Sequence, residues 1–132
     1  MRSHRRESGF TLIELMIVLT LISVLAGIGL AQYRHSITHA SEAVLKEDLF
    51  RMRDAIDQYF ADKGQYPGSL DALVSEGYLR RVPEDPFTRS QTSWQTILAE
   101  AEPSNPTVPP GIYDVKSGSD ATALDGTKYA DW

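Results

Sequence analysis

The sequence has 132 residues, carries a formal net charge of −5 at pH 7 and contains no cysteine. This length is enough for one small domain. The negative charge argues against nucleic acid as the primary partner of the chain. Without cysteine no disulfide can hold the loops of a small domain, so another device must close them.

The chain starts with a short basic segment followed by a long apolar run. Residues 1–9 hold three arginines and one glutamate, and the 22 residues from Phe10 to Ala31 contain a single ionisable side chain, Glu14. At about 1.5 Å per residue the apolar run is about 33 Å long as a helix, enough to cross a hydrocarbon core of about 30 Å. Basic residues before such a helix stay in the cytoplasm. The sequence therefore predicts a single-pass transmembrane helix over residues 10–31.

Glu14 is the unusual residue of the apolar run. A carboxylate in a spanning helix costs about 2.5–3.5 kcal/mol near the membrane centre, which makes a functional role the first hypothesis. The alternative is a side chain that reaches the membrane interface from near the helix end. A small residue, Gly9, stands before the apolar run, whereas an ordinary secretory signal is cut after it. The position of the cut therefore decides whether the helix stays on the mature protein.

The residues at this junction are Gly9-Phe10-Thr11-Leu12-Ile13-Glu14. They resemble the leader junction of type IV pilins and type II secretion pseudopilins. The resemblance implies that residues 1–9 are a leader peptide, that prepilin peptidase cuts after Gly9, and that the new amino terminus on Phe10 is methylated. It also implies that Glu14 pairs with the terminal amine of a neighbouring subunit during assembly. Two charges that are each costly in lipid become tolerable as partners.

The helix is predicted to continue beyond the membrane, because residues 32–62 contain neither proline nor glycine. Apolar residues recur there at spacings of three and four, as on a helix that packs on a small domain. They are Leu45, Leu49, Met52, Ile56 and Tyr59 or Phe60. The charged residues assigned to the solvent side are Glu42, Lys46, Glu47, Asp48, Arg51, Arg53, Asp54 and Asp57. Two predicted ion pairs, Glu42–Lys46 and Glu47–Arg51, have the helical i,i+4 spacing.

Residues 63–132 are predicted to form a small globular body. Gly64 and Pro67 end the long helix, and Ser69 caps a short helix from Leu70 to Glu76 that stops at Gly77. Two short strands follow, Ser93–Leu98 and Gly111–Lys116, which we expect to pair as an antiparallel sheet. The proline-rich stretch 99–110 is predicted to be a surface loop. This is an α+β fold, with the long helix packed on the body.

The motifs of the body support a closer resemblance. Their order is Tyr66-Pro67, Leu70, Leu73-Val74, Gly77-Tyr78-Leu79, Pro83 and Asp85-Pro86-Phe87. This order is similar to that of the G-type major pseudopilins of type II secretion, with Phe87 and Thr88 in place of the family's Trp and Gly. The resemblance implies the type IV pilin-like fold. From the residues themselves, Asp85 is expected to cap local amides in a turn and Phe87 to anchor the core.

The last segment of the sequence, residues 114–132, is called the tail here. It is rich in oxygen ligands, with Asp114, Ser117, Asp120, Asp125 and Asp131 interleaved with glycines. Such a loop suits calcium, yet it lacks the EF-hand spacing, and the residues alone favour a solvated acidic turn. The segment 113–120 resembles the calcium loop of pseudopilins, although it is one residue shorter. That resemblance implies calcium held by Asp120 and Asp125, with Ser117 as a further candidate and backbone oxygens completing the shell.

The pseudopilin resemblance implies a structural subunit of a type II secretion pseudopilus. It would be a single-pass inner-membrane protein with a periplasmic body that forms a homopolymer together with minor pseudopilins, an inner-membrane platform and an assembly ATPase. No nucleophile, phosphate-binding or acid–base pattern indicates an enzyme. Three alternatives stay open: a surface type IV pilus subunit for adhesion, motility, DNA uptake or extracellular electron transfer, a filament conducting through its aromatic residues, and a membrane-anchored calcium-binding module that never polymerises.

Overall fold

A computed structural model describes residues 9–101, 103–104, 106–107 and 109–132. Most of the predicted leader and parts of the proline-rich loop lie outside these residues. The chain divides into two compact units, one ending at Ile37 and the other beginning at Thr38.

The first element is helix α1, Leu12–Lys63, which continues through the boundary between the units. The predicted helix, Phe10–Asp62, agrees with it to within two residues at each end. Thr11 precedes the helix, and its hydroxyl oxygen accepts the backbone N–H of Glu14 at 3.2 Å. A Thr-x-x-Glu sequence at a helix start is typical of a capping box, so local hydrogen bonding defines where α1 begins.

α1 ends at a glycine, as predicted. Gly64 has a φ of +69°, and its amide donates to the carbonyl of Phe60 at 2.8 Å. Glycine adopts this left-handed conformation without steric cost and is the usual residue just past a helix. The predicted end at Asp62 therefore lies one residue before the observed end at Lys63.

The core of the second unit forms along one stripe of α1. Leu45, Leu49, Met52 and Ile56 are buried, which confirms the predicted apolar face. The other core side chains come from the rest of the body: Leu73, Val82, Trp94, Ile112, Val115, Ala123 and Tyr129, together with Ala55 of α1. The small body thus builds one hydrophobic core on the second half of the long helix.

Helix α2 is short and spans Leu70–Ser75. The hydroxyl of Ser69 accepts the N–H of Ala72 at 3.1 Å, which confirms Ser69 as the cap. The helix stops one residue before the predicted end because Glu76 is already the C-terminal cap. Gly77 follows with a φ of +84°.

The sheet has two antiparallel strands, β1 at Gln95–Leu98 and β2 at Ile112–Lys116. The predicted pairing is confirmed, while both strands start later than predicted. β1 starts later because Trp94 is buried in the core, where its indole N–H donates to the carbonyl of Pro83 at 2.8 Å. Gln95 pairs with Lys116, so the end of β2 lies beside the beginning of β1.

Candidate assembly site and C-terminal loop

The candidate assembly residues lie at the start of α1. Phe10 is 83% exposed just before the helix, and Glu14 is an exposed acidic residue in its first turn. A carboxylate is favoured there because the unpaired N–H groups give the helix start a partial positive charge. Gly9 is exposed directly before Phe10. Cleavage after Gly9 would therefore create an amine four residues before Glu14, with both positions open to a partner.

The first unit, in its described residues, exposes apolar side chains on all sides of the helix from Leu12 to Leu30. Its large exposed apolar residues are Phe10, Leu12, Ile13, Leu15, Met16, Ile17, Val18, Leu19, Leu21, Ile22, Val24, Leu25, Ile28, Leu30, Tyr33 and Ile37. A helix that is apolar all round needs an apolar environment, supplied by a core or by a membrane.

Two hydroxyl side chains within this apolar surface are satisfied by the helix itself. The hydroxyl of Thr20 donates to the carbonyl of Met16 at 2.8 Å, and that of Ser23 donates to Leu19 at 2.8 Å. Such bonds let hydroxyl residues lie in an apolar environment without an unpaired donor. By length and composition α1 is able to cross a membrane.

In the second unit, Ser117 is buried against Asp85. Its hydroxyl donates to Oδ2 of Asp85 at 2.5 Å and accepts the N–H of Ser119 at 3.2 Å. The other carboxylate oxygen of Asp85 accepts the N–H groups of Phe87 at 2.9 Å and Thr88 at 3.3 Å. The predicted capping role of Asp85 is confirmed. Ser117, named as a candidate calcium ligand, uses its side chain in an internal hydrogen-bond network.

The two predicted carboxylate ligands, Asp120 and Asp125, are exposed. Oδ1 of Asp125 accepts the N–H of Thr127 at 2.9 Å and its hydroxyl at 2.6 Å. These hydrogen bonds, first that of the hydroxyl, lower the pKa of Asp125. The Thr127 hydroxyl in turn accepts the indole N–H of Trp132 at 2.7 Å, so Asp125 organises a turn at the end of the chain.

Two of the three side chains named as calcium ligands, those of Ser117 and Asp125, already accept hydrogen bonds within the chain. Calcium takes six to eight oxygen ligands that converge on one point. Among the residues that the structure describes, no three Asp, Glu, His or Cys side chains are grouped to hold a metal. The hydroxyl of Ser117 and Oδ1 of Asp125 instead accept amide or hydroxyl groups of the tail. The calcium ligands named above stay a prediction from the resemblance.

Glu42 was predicted on the solvent side of α1, and this was wrong. It is only 8% exposed, and its Oε1 accepts the N–H of Leu124 at 2.8 Å and the hydroxyl of Tyr129 at 2.8 Å. Burial, and then the hydrogen bond to Glu42, raise the pKa of Tyr129 to about 12. The sequence contains the signal that was missed, since Glu42 precedes Leu45 by three residues and so shares its face of the helix.

Arg53 also departs from the predicted solvent face. It is partly buried, and its guanidinium donates to Oδ1 of Asp114 at 2.8 Å, to the carbonyl of Val115 at 3.0 Å and to the backbone oxygen of Trp132 at 2.7 Å. A planar guanidinium serves several acceptors at fixed geometry. Arg53 thereby joins the helix, strand β2 and the end of the tail.

The two predicted ion pairs on α1 have different outcomes. The Glu47–Arg51 pair is confirmed, with 2.8 Å between Oε1 and Nε. The carboxylate of Glu42 bonds to the tail instead of pairing with Lys46, because it lies on the buried face. The ammonium of Lys46 lies 4.7 Å from the ring centre of Trp132, a cation–π contact that also involves the tail.

Similarity to known proteins identifies the family of the chain. Residues 4–30 match the family described as the prokaryotic N-terminal methylation motif. The chain is 31% identical over 99 residues to type II secretion system core protein G of Aeromonas hydrophila, covering 63% of this chain and 69% of that protein. The corresponding protein of Pseudomonas aeruginosa is 33% identical over 100 residues, covering 64% of this chain and 70% of the relative. The chain belongs to the core protein G family of type II secretion systems.

Further core protein G relatives match over similar lengths. That of Klebsiella pneumoniae is 32% identical over 99 residues, covering 63% of this chain and 71% of the relative. The comparison with solved structures found no match. As a member of the core protein G family the chain is a pseudopilin, and its long apolar helix, short helix and small antiparallel sheet are consistent with the pilin-like α+β fold. The methylation motif spans Gly9, Phe10 and Glu14.

Proposed function

We propose that this pseudopilin is a structural subunit of a type II secretion pseudopilus. It is processed after Gly9 and polymerises through the first half of α1 into a filament that drives protein export. The observation that carries the proposal is the exposed apolar helix with Glu14 in its first turn, in a chain of the core protein G family. The relatives are named as components of a secretion system, which favours this function over a surface pilus.

The free subunit leaves apolar side chains exposed, and this exposure favours assembly. The apolar side chains of the first unit need lipid or neighbouring helices around them, and a bundle of identical helices supplies the latter. In that bundle the carboxylate of Glu14 and the amine of Phe10 on a neighbouring subunit neutralise each other where water is scarce. Such contacts are heterologous and do not close, so they generate a helical filament.

The proposed role has a location and a set of partners. Before assembly α1 anchors the subunit in the inner membrane, and the body lies in the periplasm. Prepilin peptidase removes the leader, and minor pseudopilins, an inner-membrane platform and an assembly ATPase act with the growing homopolymer. The chain's own part in this proposal is structural, since it supplies the helix, the charged pair and the folded body, with no catalytic step.

The first experiment tests processing. The full chain is co-expressed with a prepilin peptidase, and its mass and amino-terminal sequence are determined. We expect loss of residues 1–9 and one added methyl group on Phe10. Gly9→Val should block cleavage because a branched side chain replaces the small residue at the cut, while Gly68→Val, at an exposed glycine of the body, serves as the control. Cleavage after the apolar segment, or normal processing of Gly9→Val, would contradict the proposal.

A further inference from the structure

The tail of this chain is attached to the body at three points. At its start, Ser117 donates to the fully buried carboxylate of Asp85. In its middle, the N–H of Leu124 donates to Glu42. Near its end, the hydroxyl of Tyr129 donates to the same Glu42 oxygen. Each contact joins residues far apart in the sequence, so each one constrains the path of the tail.

Glu42 acts as an internal hydrogen-bond acceptor for the tail. Its carboxyl group is buried beside the tail, and carboxylate oxygens accept hydrogen bonds without donating any when ionised. Two donors from different parts of the tail meet at one oxygen, each at 2.8 Å. A calcium ion would organise a loop by gathering loop oxygens, whereas Glu42 organises it by gathering loop donors.

The buried polar side chains have hydrogen-bond partners within the protein. In the described part of the chain, no buried side-chain nitrogen or oxygen lacks a hydrogen-bond partner. The side-chain oxygens of Ser117, Ser119 and Asp125 each accept a backbone N–H of the tail itself. Arg53 adds a bond to the backbone oxygen of Trp132 at 2.7 Å. Protein contacts thus satisfy these polar atoms of the tail.

We propose that the tail of this pseudopilin is held by Glu42, Asp85 and Arg53 in place of a metal ion, so that the body folds and keeps its tail ordered without calcium. Glu42 is the positioning residue of this network because it serves two points of the tail. This inference concerns the folded body and stands independently of the proposed role in secretion. It replaces the calcium predicted from the family resemblance with residues of the chain itself.

The test is thermal unfolding of the full chain in detergent micelles, followed by tryptophan fluorescence. Trp94 and Trp132 are the only tryptophans of the sequence, and both belong to the body, so the signal reports on the body rather than on the apolar helix. The wild type is melted in millimolar calcium and in chelator. A site filled at about one hundred times its Kd would raise the midpoint by about 10 °C or more. We expect midpoints that agree to within about 1 °C.

Variants test Glu42 directly. Glu42→Ala leaves the Leu124 amide and the Tyr129 hydroxyl without their acceptor, and we expect its midpoint to fall by about 5 °C or more in both solutions. Glu42→Gln keeps an acceptor oxygen and should recover part of this loss. Glu47→Gln removes an exposed ion pair of the same helix and should change the midpoint by about 2 °C or less.

Two outcomes would overturn the inference. One is a calcium-dependent rise of the wild-type midpoint that Asp120→Asn or Asp125→Asn abolishes. The other is a Glu42→Ala variant that melts like the wild type. If Glu42→Ala does not fold, the comparison of calcium with chelator on the wild type and on Glu42→Gln still decides between the ion and the protein network. Calorimetric titration of the wild type with calcium gives an independent answer, and we expect no binding heat from the folded body.

Discussion

Tyr129 takes part in both the apolar packing and the hydrogen bonding that hold the tail. Its side chain is almost fully buried, its ring stacks on Phe87 with 3.9 Å between the ring centres, and its hydroxyl donates to Glu42. Trp132 also contacts this ring in an edge-on geometry, with the centres 5.1 Å apart. One residue therefore links the core, the buried carboxylate of α1 and the end of the chain, and its protonation state matters for the whole body.

The raised pKa of Tyr129 predicts a loss of stability at alkaline pH. The pKa is about 12 in the folded chain and about 10 in the unfolded chain. The protonated phenol is therefore favoured by folding, and this contribution is fully present below pH 10 and is lost as the pH rises toward 12. We expect the urea midpoint, read from the tryptophan emission wavelength, to fall over this range.

Tyr129→Phe is the matched variant for this prediction. It keeps the ring but removes the ionisable hydroxyl, so it should be less stable than the wild type at neutral pH and should lose less stability above pH 10. Tyr78 contributes in the same direction, because its hydrogen bond to Asp62 raises its pKa to about 12. A wild type and a Tyr129→Phe variant with the same alkaline slope would contradict the assignment.

At the scale of elements, the body depends on close backbone contacts around the sheet. A side chain on Gly118, just after β2, would clash with the backbone oxygen of Ser93, just before β1. A Cβ at Gly111 would likewise meet the backbone of Tyr66. These positions lack room for any side chain, so the two strands approach their neighbours only because glycine stands there.

Substitution of Gly118 tests this packing. Gly118→Ala should lower the free energy of unfolding of the body by about 2 kcal/mol or more, because backbone atoms must move to admit the methyl group. Gly68→Ala is the control, since a Cβ there meets no atom within 4 Å and φ is not positive. It should change the free energy by less than about 0.5 kcal/mol. Urea titration of both variants measures the difference, and equal values would refute the close approach.

Elements defined by local patterns were predictable from the sequence. The stripe that includes Leu45 and Met52 has helical spacing, Ser69 is a standard cap residue, and glycine at position 64 terminates α1. The partners of Glu42 were not predictable, because they lie 82 and 87 residues further along the chain. Which charged residue on a helix is buried depends on the path of distant segments. Only the position of Glu42 on the helix, three residues before Leu45, indicated that it would be buried.

At the scale of the whole molecule, the two units differ in whether their apolar side chains are buried. The unit that begins at Thr38 has its own core and closes its tail through its own hydrogen bonds. In its described residues, the unit that ends at Ile37 is a mainly apolar helix with exposed side chains. The methylation motif could be predicted because the junction from Gly9 to Glu14 is contiguous, while the assembly role of Glu14 stays a prediction. The loop residues could not, because the function of Ser117 is set by Asp85 on another segment.

We expect the helix to polymerise through Glu14, and the yield of filaments measures whether it does. The processed chain, produced with the assembly components of a type II secretion system, is examined by electron microscopy, and filament yield is compared for the wild type, Glu14→Ala and Glu47→Gln. Removing one partner of a buried ion pair costs about 3–5 kcal/mol, so Glu14→Ala should lower the yield by more than about tenfold. Glu47→Gln should form filaments like the wild type. Abundant filaments from processed Glu14→Ala would contradict the account.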